Sequence, residues 1–142
     1  MAKHSPSEVV ITIDDAPGGT PRVITPYVTS IGGIGVESIT EQTNPFGVTS
    51  EEHTPIGITK TADIPISGFF DDTATVGPHV VFQVEAADIS PASVGRVLAI
   101  VAATGKTFTI TVHLVKYEVQ LENNGLTKYQ ALVRQKSTGV WT

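Results

Sequence analysis

From Lys106 to Glu122 apolar and polar residues alternate, and midway the alternation changes phase. Phe108, Ile110, Val112 and Leu114 are apolar, and Thr107, Thr109, Thr111 and His113 separate them. Period two marks a half-buried β-strand. From Val115 the apolar set is Val115, Tyr117, Val119 and Leu121, and the polar set is Lys116, Glu118, Gln120 and Glu122. A one-residue slip exchanges the two faces of a strand. The pattern therefore predicts a bulge or sharp bend near Leu114 and Val115, where one strand leaves one β-layer and enters another. Run straight, the segment would span roughly 55 Å at ~3.3 Å per residue, well beyond the usual strand of ~5–6 residues. The expected fold is mainly β: two packed antiparallel sheets, a sandwich or partly open barrel, sharing one long bent strand.

The remaining pattern fills in that fold. Ser7 to Asp14 reads as a first strand with Val9, Ile11 and Ile13 on one face, followed by a turn cluster from Asp15 to Pro21. Arg22 to Val28 reads as a short extended segment in which Pro26 demands an edge or a bulge. Ile58 to Phe70 returns to strand character, with Pro65 needing a free N–H side. Asp71 or Asp72 is placed to cap a short helix within Ala74 to Gln83, and Pro78 suits its first turn. Val94 to Ala102 is apolar on both parities except at Arg96, the pattern of a strand covered on both faces. With the long strand and Tyr129 to Arg134 it forms a three-stranded meander. Asn123-Asn124-Gly125 supplies the positive φ angles of a tight hairpin.

Residues 29–57 break the regularity. Five glycines and two prolines punctuate them, yet Ile31, Ile34, Val36, Ile39, Phe46, Val48 and Ile56 are scattered through. Loops beyond ~12–15 residues are usually functional or disordered, and a disordered linker has little use for so many apolar side chains. An arm that buries them on a neighbouring subunit accounts for both features; a surface loop with one extra hairpin is the plainer alternative. Trp141, the sole tryptophan, is either tucked under its own domain or inserted into a partner.

Composition narrows the function classes. The 142 residues suffice for one domain with a real core, 1–142. Cysteine is absent, which excludes disulfides and thiolate metal sites. The amino-terminal residues lack the apolar core of a signal peptide, and no run approaches the ~20 residues of a membrane helix. The expectation is a soluble, non-exported intracellular product. The net charge of −5 hides an asymmetry: residues 1–95 carry 12 acidic and 3 basic side chains, residues 96–142 carry 2 and 6. Opposed ends of this kind favour head-to-tail self-association, while the acidic total argues against gripping a nucleic-acid backbone.

Catalytic signatures are missing. Gly105-Lys106-Thr107 resembles the end of a phosphate loop, but position 100 is Ile and a strand follows, so it reads as a turn. His4, His53, His79 and His113 show no metal-ligand spacing. No serine sits in Gly-x-Ser-x-Gly. Adjacent Asp71 and Asp72 diverge in an extended chain and suit a cap better than acid–base work. No enzyme activity, cofactor or metal is expected. The row Thr107, Thr109 and Thr111 is polar but uncharged, fit either to line a water-filled space or to form an ordinary β-surface.

The stretch Ala62-Asp-Ile-Pro-Ile-Ser-Gly-Phe-Phe-Asp-Asp-Thr73, then Gly77-Pro-His-Val-Val-Phe82, and the closing segments Leu114–Gln120 and Tyr129–Arg134 resemble a tail tube (major tail) protein of a long, non-contractile-tailed bacteriophage, a siphophage. The likeness covers residues 58–142; before them only an arm of suitable length matches. It implies a structural virion protein, made in the bacterial cytoplasm, whose copies form hexameric rings. The rings stack head to tail into a tube through which viral DNA passes unbound. It further implies a tape measure protein inside and tail terminator and distal tail proteins at the ends. On that reading Ile31, Ile34, Val36, Ile39, Phe46 and Val48 belong to an inter-subunit arm. Thr107, Thr109, Thr111, Glu118 and Glu122 are candidates to line the bore, and Trp141 for a terminal contact. A virion decoration or tail-fibre β-domain acting as a binding module is the competing reading.

Overall fold

A computed structural model describes residues 3, 5–83 and 88–142; His4 lies outside the described residues. Ten strands and one short helix follow in the order β1 (Val10–Asp14), β2 (Pro21–Val23), β3 (Ser30–Ile31), β4 (Glu37–Gln42), β5 (His53–Lys60), β6 (Ile64–Phe69), α1 (Pro78–Phe82), β7 (Arg96–Ala103), β8 (Lys106–Gln120), β9 (Lys128–Gln135) and β10 (Val140–Trp141). The main sheet is antiparallel, in the order β2-β1-β7-β8-β9-β6-β3, with β10 also paired to β8; β4 and β5 make a separate two-stranded sheet. Ile11 and Ile13 of β1 share one apolar core with Ile64 and Ile66 of β6, although these strands lie near opposite ends of the order. The sheet therefore curls around its own apolar face, and α1 adds Val81 and Phe82 to the core. This is the expected mainly β fold with antiparallel sheets and one short helix.

The long strand carries the predicted bulge, but both of its halves belong to the one curled sheet rather than to two separate layers. β8 pairs with β7 from Lys106 to Val112, and with β9 from Val112 to Gln120. The register with β9 shifts between Leu114 and Lys116, which makes Val115 the extra residue of a bulge. Phe108, Ile110, Val112 and Leu114 are buried ahead of it, and Tyr117 packs on the same core behind it. The phase change in the sequence and the extra residue cancel, so the chain keeps one side on the core along its whole length. By the same count Thr107, Thr109 and Thr111 share the outward side with Lys116 and Glu118.

Elsewhere the structure corrects details. The first strand starts only at Val10, after a 3-10 turn at Pro6–Glu8. Pro26 is not in an edge strand. It lies in a 3-10 turn, Thr25–Tyr27, where its fixed φ fits and its missing N–H is not needed. Ile58 to Phe70 is two strands, β5 and β6, interrupted at residues 61–63. Asp71 does not cap the helix: its carboxylate accepts the Thr73 N–H at 2.7 Å, and the N-cap is Gly77. The hairpin after β8 is not tight. Pairing stops at Gln120 and Lys128, and neither Asn nor Gly125 has positive φ, so register comes from the buried alternation rather than from the turn. Pro65 has the room it needs, because its neighbour across the β3 side is Gly32, whose N–H donates to the Pro65 carbonyl at 2.8 Å; a Cβ there would lie 2.4 Å from the proline ring. Residues 37–60 are not loop but the β4–β5 hairpin.

Candidate assembly interface

Alternation along β4 and β5 buries no face, because among the described residues no other element covers the hairpin. Every residue of β5 is exposed, and in β4 only Ile39 is half-buried. The candidate arm residues divide. Ile31 and Ile34 pack against the domain's own core, whereas Val36 and Val48 are exposed and Phe46, at the tip, is fully so. Ile56, one of the scattered apolar residues of the arm, is exposed on β5 beside a register shift, as is Ile58, which the sequence placed in the following strand. Gly57, between them, has φ +78°, a left-handed conformation that glycine adopts without strain. A side-chain bond from Thr59 to Thr138 (3.1 Å) ties the root of the hairpin to the body.

The outward surface of the main sheet has two regions, divided just ahead of the bulge. From His113, opposite Arg134, onward it is polar. Lys116 pairs with Glu118 at 3.3 Å, and Arg134 donates two bonds to Asp63, at 3.0 Å from Nε and 2.9 Å from Nη2. The hydrogen bond from Arg134 holds the Asp63 carboxyl below the usual carboxylate range. Gln120 and Lys128 flank an open groove of about 380 Å³ with Ser67 and Gly68. The Tyr129 hydroxyl at its base donates to the Tyr27 carbonyl at 2.9 Å, and burial raises its pKa far above the ordinary value. Glu122 is exposed in the following loop. Ahead of His113 the outward positions of β8 are uncharged: Thr107, Thr109 and Thr111, all half-buried, stand opposite Val101, Ala99 and Val97 of β7.

Trp141 lies on its own domain, its ring 5.0 Å from that of Phe108, and is still 47% exposed. Gly139 permits that approach, since a Cβ there would fall 2.1 Å from the Phe108 ring.

Where the bulge, the end of α1 and the starts of β7 and β8's second half converge, Arg96 is fully buried. It holds Asp88 through Nε and Nη2 (2.9 Å from Nη2) and donates through Nη1 to the Val81 carbonyl at 2.8 Å. Asp88 also accepts the Leu114 N–H at 3.0 Å, and Asp14 accepts the Val97 N–H at 3.0 Å. The sole charge in the apolar run from Val94 to Ala102 was the visible signal for this cluster; its partners, 8 and more residues away, were not. Beyond these, His79 and Tyr117 are joined at 3.0 Å, and among the described residues no three His, Cys, Asp or Glu side chains gather as a metal site. No helix among them is long and apolar enough to cross a membrane.

No protein-family model matches the sequence, and no curated protein matches it either. Solved structures do match, over the full length. A chain of the virion of a native gene transfer agent particle superposes with TM-score 0.73, at 11% identity, covering 99% of both chains. This is a phage tail-tube-like fold. A chain from the tail of the empty gene transfer agent particle, refined with C6 symmetry, gives TM-score 0.72 at 10% identity, again over 99% of both. A chain of the six-fold symmetrised baseplate of the anti-feeding prophage gives 0.72 at 11% identity, covering 100% of this chain and 97% of that one. At such low identity the tail-tube-like fold, rather than the sequence, is what these chains share.

Proposed function

We propose that this protein is a structural tail protein of a phage or phage-like particle, whose copies form hexameric rings stacked into a tube that conducts DNA. The observation that carries the reading is the full-length match to chains of a gene transfer agent virion, of its C6-symmetric tail and of a six-fold symmetrised baseplate. The surface chemistry supports it. Past Val112, β8 has β9 along one edge and no described strand along the other. Open edges invite pairing, and joining sheets between copies would close them. The polar outward region from His113 onward suits a bore. Its charges are largely paired with each other, Lys116 to Glu118 and Arg134 to Asp63, so no free basic stripe would hold phosphate. Glu118 and Glu122 then face the bore, while the valine-flanked threonine row turns elsewhere. Tape measure, terminator and distal tail proteins would meet the inside and ends of the tube, and the mature location is the virion tail.

Negative-stain microscopy of the purified protein tests this. Six-fold rings or tubes are expected; a protein that stays monomeric or trimeric at high concentration refutes the assembly and favours a decorating domain.

A further inference from the structure

The sequence writes β7 as a strand covered on both faces, yet the folded chain covers only one. Val97 on β7 remains exposed, and around it Val10 on β1, Val23 on β2 and Val140 on β10 are 39–57% exposed. Pairing puts them on one side: Thr12 opposes both Val23 and Ala99, Val10 opposes Val101, Thr109 opposes Ala99 and Val140. Across positions 10, 12, 97, 99, 101, 107, 109 and 111 no outward side chain carries a charge. Contiguous apolar surface of this kind marks an interaction site.

We propose that this face seats the β4–β5 hairpin of a second copy, an inference that rests on the assembly reading above and names the contact it uses. The hairpin presents the matching chemistry: Val36, Val48, Ile56 and Ile58 exposed and a tip Phe46 without cover. An isolated two-stranded hairpin is at best marginally stable in water, so this one needs a surface. Its length fits. The eight residues of β5 extend about 27 Å, and Lys106 to Val112 about 24 Å, at ~3.4 Å per residue. Its charge fits too. Residues 37–60 carry Glu37, Glu41, Glu51 and Glu52 against Lys60. The threonine row is bracketed by Lys106 beside Thr107 and by Lys136, whose N–H donates to the Thr111 carbonyl at 2.8 Å. The occupant is not the chain's own hairpin, which leaves the body beside Thr138 and leaves all four valines bare. Donor and acceptor are different surfaces of one molecule, so the contact is heterologous and propagates as a ring or filament.

The absence of native cysteine makes the test direct. I58C is combined in one chain with V97C, T109C or V140C, and assembled protein is oxidised and run without reductant. At least one pair is expected to give a reducible ladder of covalent oligomers; I58C with E118C is expected to give none. Separately, Thr109→Glu and Val140→Glu should retain the monomer's circular dichroism and melting temperature while reducing the assembled fraction at least tenfold. If tubes form but none of the three pairs cross-links, or if both glutamate variants assemble normally, the docking is wrong, the assembly reading stands, and the face serves another virion protein. If no wild-type particles form, both readings fall.

Discussion

Arg96 shows how much one residue can hold. Its guanidinium is wholly buried and is balanced by Asp88, which also takes the Leu114 N–H next to the bulge. Removing one partner of such a pair leaves an uncompensated buried charge, worth about 3–5 kcal/mol. Asp88→Ala should lower the urea-unfolding free energy by that amount with an unchanged m-value. Tyr129 offers a pH test. Its folded pKa is raised above the ordinary 10.0, chiefly by burial and secondarily by Tyr117. A group with a raised folded pKa contributes stability that is full below its unfolded value and is lost as pH climbs toward the folded one. Stability should therefore fall above pH ~10. Tyr129→Phe should flatten that alkaline limb while losing about 1 kcal/mol at neutral pH, the hydrogen bond to Tyr27. Both are read by denaturant titration across pH.

Among the elements, β8 carries the organisation, and its bulge can be tested by subtraction. Deleting Val115 would set Tyr117 and Val119 on the outward side and Lys116 and Glu118 against the core. The deletion should abolish cooperative unfolding and near-ultraviolet ellipticity. Val115→Ala, at an exposed site, should change stability by no more than about 0.5 kcal/mol. The bulge was legible because both halves of the strand alternate cleanly, and the fault between them falls at one residue. The β4–β5 hairpin was legible only as an alternative, without its bounds. Gly57 and the register shift around Ile39 disrupt its alternation, and no covering face imposes a period on it. Pro26 misled for a related reason: proline excludes a central ladder position but does not distinguish an edge strand from a 3-10 turn.

At the scale of the whole molecule, assembly and folding should separate. The hairpin contributes no residue to the core. Replacing residues 37–60 by a short Gly/Ser linker should leave circular dichroism of the main sheet and the cooperative melt in place while removing rings and tubes from micrographs. Persistence of tubes in that variant would show that the arm is dispensable. The polar split between an acidic first two-thirds and a basic remainder is consistent with heterologous contact, and one of its members, Arg96, is spent on the interior rather than the surface.

The sequence alone determined the class of fold, the meander β7–β8–β9 and the place of the bulge, because side-chain alternation is a local property that each strand states for itself. It also marked residues 29–57 as an extension holding apolar side chains without a period. Tertiary structure decided what depends on partners distant in the chain: Arg96 with Asp88 and the Val81 carbonyl, Tyr129 with Tyr27, and Ile31 and Ile34 turned inward while Val36 and Ile58 are left bare. It decided, too, that β7, apolar on both parities, has one uncovered face. Burial is set by what folds over a surface, and no local pattern can say whether that cover comes from the same chain.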